Sequence, residues 1–172
     1  LYYKMINIFK SQNKYVEKFN NNFTECENTN DCTSFLSTAK HVRIPPGVTR
    51  IQPYAFQSNS SLESVVIPDS VESIGLGAFK WCISLKSVVI GNGVKSIEDD
   101  AFHGCSSLTS IVIPAGVTRI LKETFRDCTR LESVVIGDNV QSIGVGAFQN
   151  CGLTSVIIPD SVTKIWEKAF YN

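Results

Sequence analysis

The sequence predicts a solenoid of short repeats, with a parallel β-sheet on one face and helical or 3-10 turns on the other. Three observations carry that prediction. The first is a period: Ile44, Ile67, Ile90, Ile113 and Ile136 recur every 23 residues, and Ile158 follows after 22. The second is that further apolar columns keep the same step. They are Val48, Val71, Val94, Val117, Val140 and Val162; Ile51, Ile74, Ile97, Ile120, Ile143 and Ile165; and Phe56, Phe79, Phe102, Phe125, Phe148 and Phe170. The third is punctuation: Pro68, Gly91, Pro114, Gly137 and Pro159 each follow the first Ile column directly. A fixed short period with apolar residues in register marks a stack of units that bury their apolar faces only against each other.

Residues 1–40 do not repeat and are expected to form an N-terminal cap or flanking segment, because a solenoid needs its open end covered. Apolar residues in Tyr3–Lys10 and Tyr15–Phe19 have helix-compatible spacing, so the cap is predicted to be helical. A separate binding arm and a disordered tail are the alternatives. Asn20–Asn22 reads as a loop. Asn22-Phe23-Thr24 is a glycosylation sequon, meaningful only in a eukaryotic secretory pathway.

Residues 41–172 divide into six repeats, about 41–63, 64–86, 87–109, 110–132, 133–154 and a truncated 155–172. In the second repeat, Leu62–Ile67 reads as a strand that turns Leu62, Val65 and Ile67 inward and Ser64 and Val66 outward. Pro68-Asp69-Ser70 makes the turn, where Pro ends the strand; its counterpart Gly91-Asn92-Gly93 allows positive φ instead. Val71–Ile74 is a second short extended segment. The stretch around Ala78–Cys82 has room for only one turn of helix or 3-10. Strands of neighbouring coils are expected to pair in parallel at about 4.8 Å per coil. The chain begins at Leu1 and stops inside the sixth repeat, which reads as a fragment or processed form. The final coil would then present an unpaired edge, a route to end-to-end self-association.

The phrase SVVIPDSVESIGLGAFKWCISL, Ser64–Leu85, returns nearly unchanged at 133–153. It resembles the BspA-type (Treponema pallidum-type) leucine-rich repeat, and the resemblance extends over about residues 41–172. It implies a leucine-rich repeat solenoid and an adhesion-type role at the cell surface or after secretion, with a host, matrix or cell-surface protein as partner. An intracellular, cytoplasmic interaction scaffold is the alternative.

Composition narrows the classes. Sixteen basic and 16 acidic residues give a net charge of zero, without the basic footprint that nucleic acid or an anionic membrane requires. No apolar run reaches the roughly 18 residues of a membrane span. Four of six cysteines, Cys82, Cys105, Cys128 and Cys151, share one column, and are expected as a reduced, buried ladder. Asn59 takes that place in the first repeat, which argues against its own sequon, Asn59-Ser60-Ser61. Cys26 and Cys32 lie outside the repeat and pair only in an oxidising compartment.

Catalytic chemistry is hard to assemble from these residues. The two histidines are His41, on a solvent-facing strand position, and His103, near Asp99, Asp100 and Cys105. His103 belongs to a column with Lys80, Arg126 and Gln149, read as solvated rather than as a metal or dyad position. Asp99-Asp100 lacks the further oxygens of a calcium loop. Gly75-Leu76-Gly77 and Gly144-Val145-Gly146 are turn glycines of the repeat, and no nucleotide or hydrolase motif stands out. No enzyme and no cofactor are predicted.

What remains is surface. Glu63, Lys86, Thr109, Glu132 and Thr154 form one column of the sheet face, and Ser64, Ser87, Ser110, Ser133 and Ser155 a second. Val66, Val89, Val112, Val135 and Ile157 form a third, with Arg43 in the first coil. The candidate protein-binding residues are Ser64, Val66, Lys86, Ser87, Val89, Ser110, Val112, Glu132, Ser133, Val135 and Trp81. The competing reading is that the valines are simply good strand formers. Trp81, whose counterparts are Ser58, Gly104, Asp127 and Asn150, either anchors a partner or packs on its neighbours. Trp166, at the Gly75 and Gly144 position, is expected to cover the chain end.

Overall fold

The computed structural model describes residues 40–44 and 46–172, together with the backbone of two N-terminal strands. Those two are β1 (Met5–Phe9) and β2 (Lys14–Lys18). Six coils follow. The first five carry a strand on the broad face: β3 (His41–Arg43), β5 (Ser64–Ile67), β7 (Ser87–Ile90), β9 (Ser110–Val112) and β11 (Ser133–Val135). Each coil also carries a two-residue strand after its turn: β4 (Arg50–Ile51), β6 (Ser73–Ile74), β8 (Ser96–Ile97), β10 (Arg119–Ile120), β12 (Ser142–Ile143) and β13 (Lys164–Ile165).

Pairing between coils is parallel, with each serine beside the serine 23 residues on: Ser64 faces Ser87, and Ser133 faces Ser110. The period therefore sets the register. The alternation within β5 is as predicted, Val65 and Ile67 buried and Ser64 and Val66 turned outward. The apolar columns meet in one core, with Leu62, Leu85, Leu108 and Leu131 fully buried. The six phenylalanines stack along it, ring centroids 5.0–5.5 Å apart and planes within 7° of parallel.

The helical cap is not what forms. β1 and β2 are antiparallel strands, and β2 pairs antiparallel with β3. The reason lies in β3, the first parallel strand, whose outer edge would otherwise present unpaired N–H and C=O groups. Another strand satisfies those groups directly, and local helix spacing yields to that demand. Asn22, Cys26 and Cys32 lie outside the described residues.

The second face is not helical either. Among the described residues it is built of successive tight turns, in which every other amide bonds within its own coil and the next bonds to the coil after it. Ala78, Lys80 and Cys82 donate to the carbonyls of Gly75, Gly77 and Phe79; Gly77, Phe79 and Trp81 donate to those of Asp99, Ala101 and His103. A helix would satisfy its amides internally and leave the coils unlinked on this side. The alternation requires two positions of positive φ per coil. Tyr54, Gly77, Asp100, Glu123, Gly146 and Lys168 fill one, and Ser58, Trp81, Gly104, Asp127 and Asn150 the other. At Gly75 the demand is steric: a Cβ there would lie 2.6 Å from the Pro53 nitrogen.

Pairing is interrupted on both faces between the third and fourth coils, and the broad face is unpaired again between β11 and residues 154–158 of the sixth coil. One sheet runs β1-β2-β3-β5-β7 and another β4-β6-β8; β9-β11 and β10-β12-β13 form separate sheets. No backbone hydrogen bond joins β7 to β9 or β8 to β10. The fourth coil is the irregular one. It has Thr124 where the other coils have alanine, and Leu121 where the second and fifth have glycine. Thr124 is fully buried, and its hydroxyl donates to the Leu121 carbonyl at 2.9 Å, a carbonyl that receives an amide in the regular coils.

Candidate functional site

The strands place the third column of the sheet face in solvent. Val89, Val112 and Val135 are 55%, 59% and 55% exposed. They are apolar side chains of one repeat column, Val112 and Val135 paired within one sheet and Val89 on the sheet before it, flanked by the exposed Ser87, Ser110 and Ser133 and by Glu132. Ser64 and Val66 in the second coil are only half-buried positions of the same columns, more covered than the repeat pattern suggests. Ile157 is highly exposed but lies outside any strand. Lys86 reaches Glu63 at 2.8 Å and Lys40 reaches it at 3.2 Å from the other side. These hydrogen bonds hold the Glu63 carboxyl down at about 2. Such a solvent-screened trio orders side chains more than it stabilises the fold. His41 is exposed, with Nδ1 2.8 Å from the Ser64 hydroxyl.

The cysteine column is as predicted for the described residues. Cys82, Cys105, Cys128 and Cys151 are free and buried, and each thiol donates to the carbonyl of the phenylalanine 26 residues earlier, at 3.0–3.2 Å. Burial pushes the Cys82 and Cys151 thiols up to about 12 and raises Cys105 and Cys128 as well, so the column is chemically quiet. Asn59 replaces the thiol in the first coil. Its Oδ1 accepts from the amides of Ser61 and Leu62, both at 3.1 Å. At 3% exposure its side chain is turned inward, away from any glycosylating enzyme.

His103 is where the sequence misleads. It is buried, not solvated, and sits under Trp81 with ring centroids 4.9 Å apart. Gly104 makes the room: a Cβ on it would lie 2.2 Å from the Trp81 ring. Trp81 thus packs on its neighbours while remaining 42% exposed. Nδ1 of His103 lies 2.8 Å from Asp100 and 3.6 Å from Glu123, and Nε2 lies 3.3 Å from Asp127. Lys80 and Arg126 close the two ends, each 3.2 Å from its carboxylate partner, Asp100 and Glu123 respectively. Burial works against the Asp100 charge, but His103 and Lys80 outweigh it and hold its carboxyl below the ordinary aspartate value. Asp100, His103 and Glu123 bring three ligand-type atoms within 4.8 Å of one another. Their charges are already matched by lysine and arginine, so the arrangement is an ion chain rather than a metal centre. Its steps, Lys80 to Asp100 to His103 to Glu123 to Arg126, alternate +20 and +3 in sequence. That diagonal can be read once the period is known.

Trp166 is 47% exposed and lies under Lys164, whose Nζ is 3.7 Å from its ring centre. No helix among the described residues is long and apolar enough to cross a membrane.

The family comparison decides the identity of the repeat. The BspA type leucine rich repeat region matches in six copies, over residues 3–62 and 49–172. The chain belongs to that family. No curated protein matches it. Among solved structures, the BspA-type chain is similar to a leucine rich cell surface protein from Faecalibacterium prausnitzii, at 38% identity and TM-score 0.73, covering 77% of this chain and 36% of that one. It is also similar to a leucine-rich repeat protein from Eubacterium ventriosum, at 27% identity and TM-score 0.66, covering 78% and 43%. The pneumococcal vaccine antigen PcpA matches at 26% identity and TM-score 0.61, covering 76% and 31%. This BspA-type chain thus spans less than half the length of each of the three. Repeat solenoids of this kind bind proteins on their extended surfaces.

Proposed function

We propose that this chain is a non-enzymatic protein-binding module that engages another protein through its sheet face, at the cell surface or after secretion. The observation that carries the reading is the exposure of Val89, Val112 and Val135, three β-branched residues of one repeat column beside a serine stripe, with Val112 and Val135 paired in parallel and Val89 on the adjoining sheet. An ordered apolar stripe has no work to do in the core, and it needs little entropy loss to dock. The cell-surface description of the Faecalibacterium relative supports the location. The second reading is an intracellular scaffold, favoured by the four reduced thiols.

The test is crosslinking capture from the native cell surface and surrounding matrix, comparing wild type with a Val89→Lys/Val112→Lys/Val135→Lys variant of unchanged circular dichroism. A protein captured by wild type and reduced at least about tenfold with the variant supports the sheet face, since three lysines on a docked apolar stripe cost more than 1.4 kcal/mol. Equal capture by both removes the sheet face as the working surface.

A further inference from the structure

The apolar stripe runs along the stacking axis, across the strands rather than with them. Val89, Val112, Val135 and Ile157 stand one per coil from the third to the sixth, all exposed, Ile157 most of all at 87%. The coil repeat over this stretch is visible in the core, where the phenylalanine rings step by 5.2–5.5 Å. One turn of α-helix advances about 5.4 Å. An extended chain turns the same way every second residue, about 6.7 Å, so it is half a coil out of step at its third contact. A polyproline helix repeats about every 9.3 Å and meets only every other coil. Helical residues at i, i+3, i+7 and i+10 lie on one face and span about 15 Å. The stripe from Val89 to Ile157 spans about 14–16 Å, three coil steps.

The ground beside the stripe is low and polar. Ser87, Ser110, Ser133 and Ser155 are exposed and small, so a backbone can come close over them. A sheet face offers side chains rather than backbone donors, and an occupant that closes its own backbone hydrogen bonds loses nothing by lying there. Charge adds a direction. Lys40 and Lys86 flank Glu63 and leave one net positive charge towards the first coils, whereas the exposed Glu132 stands in the fifth. A helix is positive at its amino end and negative at its carboxyl end. Building on the sheet-face reading, we propose that the stripe seats one amphipathic α-helix of the partner, laid along the stacking axis. Its amino end lies over the fifth and sixth coils and its carboxyl end points towards Lys86. Four apolar residues at i, i+3, i+7 and i+10 meet the stripe, and polar residues beside them meet the serines, Thr109 and Glu132. The seated helix crosses from the sheet of β7 to that of β9 and β11.

The experiment measures the partner against the coil repeat. p-Benzoylphenylalanine is placed singly at Ser87 and at Ser155, three coils apart in the column beside the stripe, so that the stripe itself is untouched. Each folded chain is photo-crosslinked on the native cell surface and surrounding matrix, and the attached partner residues are located by mass spectrometry. The expected result is two sites in one continuous segment, about ten residues apart, with the Ser155 site nearer the amino terminus. A separation of about four or five residues marks an extended or polyproline segment and overturns the helix. Sites on segments far apart in the partner's sequence overturn it too. A ten-residue separation in the reverse order overturns the direction that the charges give. Each of these results leaves the sheet face as the working surface. No crosslink from either position removes the sheet face, and the helix with it.

Discussion

Gly104 decides where Trp81 lies. Its φ of 73° and its missing Cβ let the indole rest on the backbone and cover His103. Gly104→Ala should therefore destabilise the protein by more than about 1 kcal/mol, because the backbone conformation and the contact both oppose it. Trp81→Ala should recover part of that loss in the double variant, since the clash is shared between the two side chains. Urea unfolding of the four proteins measures the cycle, and strict additivity would contradict the contact. The sequence pattern could find the columns of these residues but not this packing. Read alone, the Lys80, Arg126 and Gln149 column pointed to solvent for His103, and only the glycine one residue on, opposite a tryptophan one coil earlier, signals a covered position.

Turns rather than helices build the second face, and the difference has an energetic signature. Ser58 is exposed and holds a φ of 59°. Left-handed backbone costs an ordinary residue on the order of 1–2 kcal/mol, a cost glycine avoids. Ser58→Gly should thus raise stability by roughly 0.5–1 kcal/mol, after the entropy of the more flexible unfolded chain is subtracted. A comparable loss, as expected for glycine within a helix, would contradict the turn ladder. The strands were legible because Ser-Val-Val-Ile alternates and recurs in register, so the period alone fixes partner and direction. The turn face was not, because a five-residue stretch such as Ala78–Cys82 fits a helical turn locally. Its conformation is chosen by amides that bond 22 residues away. The cap failed for the same reason, its strands answering the open edge of β3 rather than their own spacing.

Across the whole molecule, stacking turns a local pattern into a surface. Six phenylalanines, four cysteines and the leucine column hold successive coils in register, and that register aligns Val89, Val112 and Val135 in solvent. The stripe was legible from strand alternation, while its partial cover at Ser64 and Val66 and its break between the third and fourth coils were not. Both depend on pairing between particular coils. The central claim is that this face, not the turn face, is the one that binds. The most direct measurement is a hydrogen-exchange footprint of the chain bound to its captured partner. Protection confined to peptides containing β7, β9 and β11, with those spanning Ala78–Cys82 and Thr124–Cys128 unchanged, is the predicted result. Protection of the turn peptides with the strand peptides unaltered would contradict it.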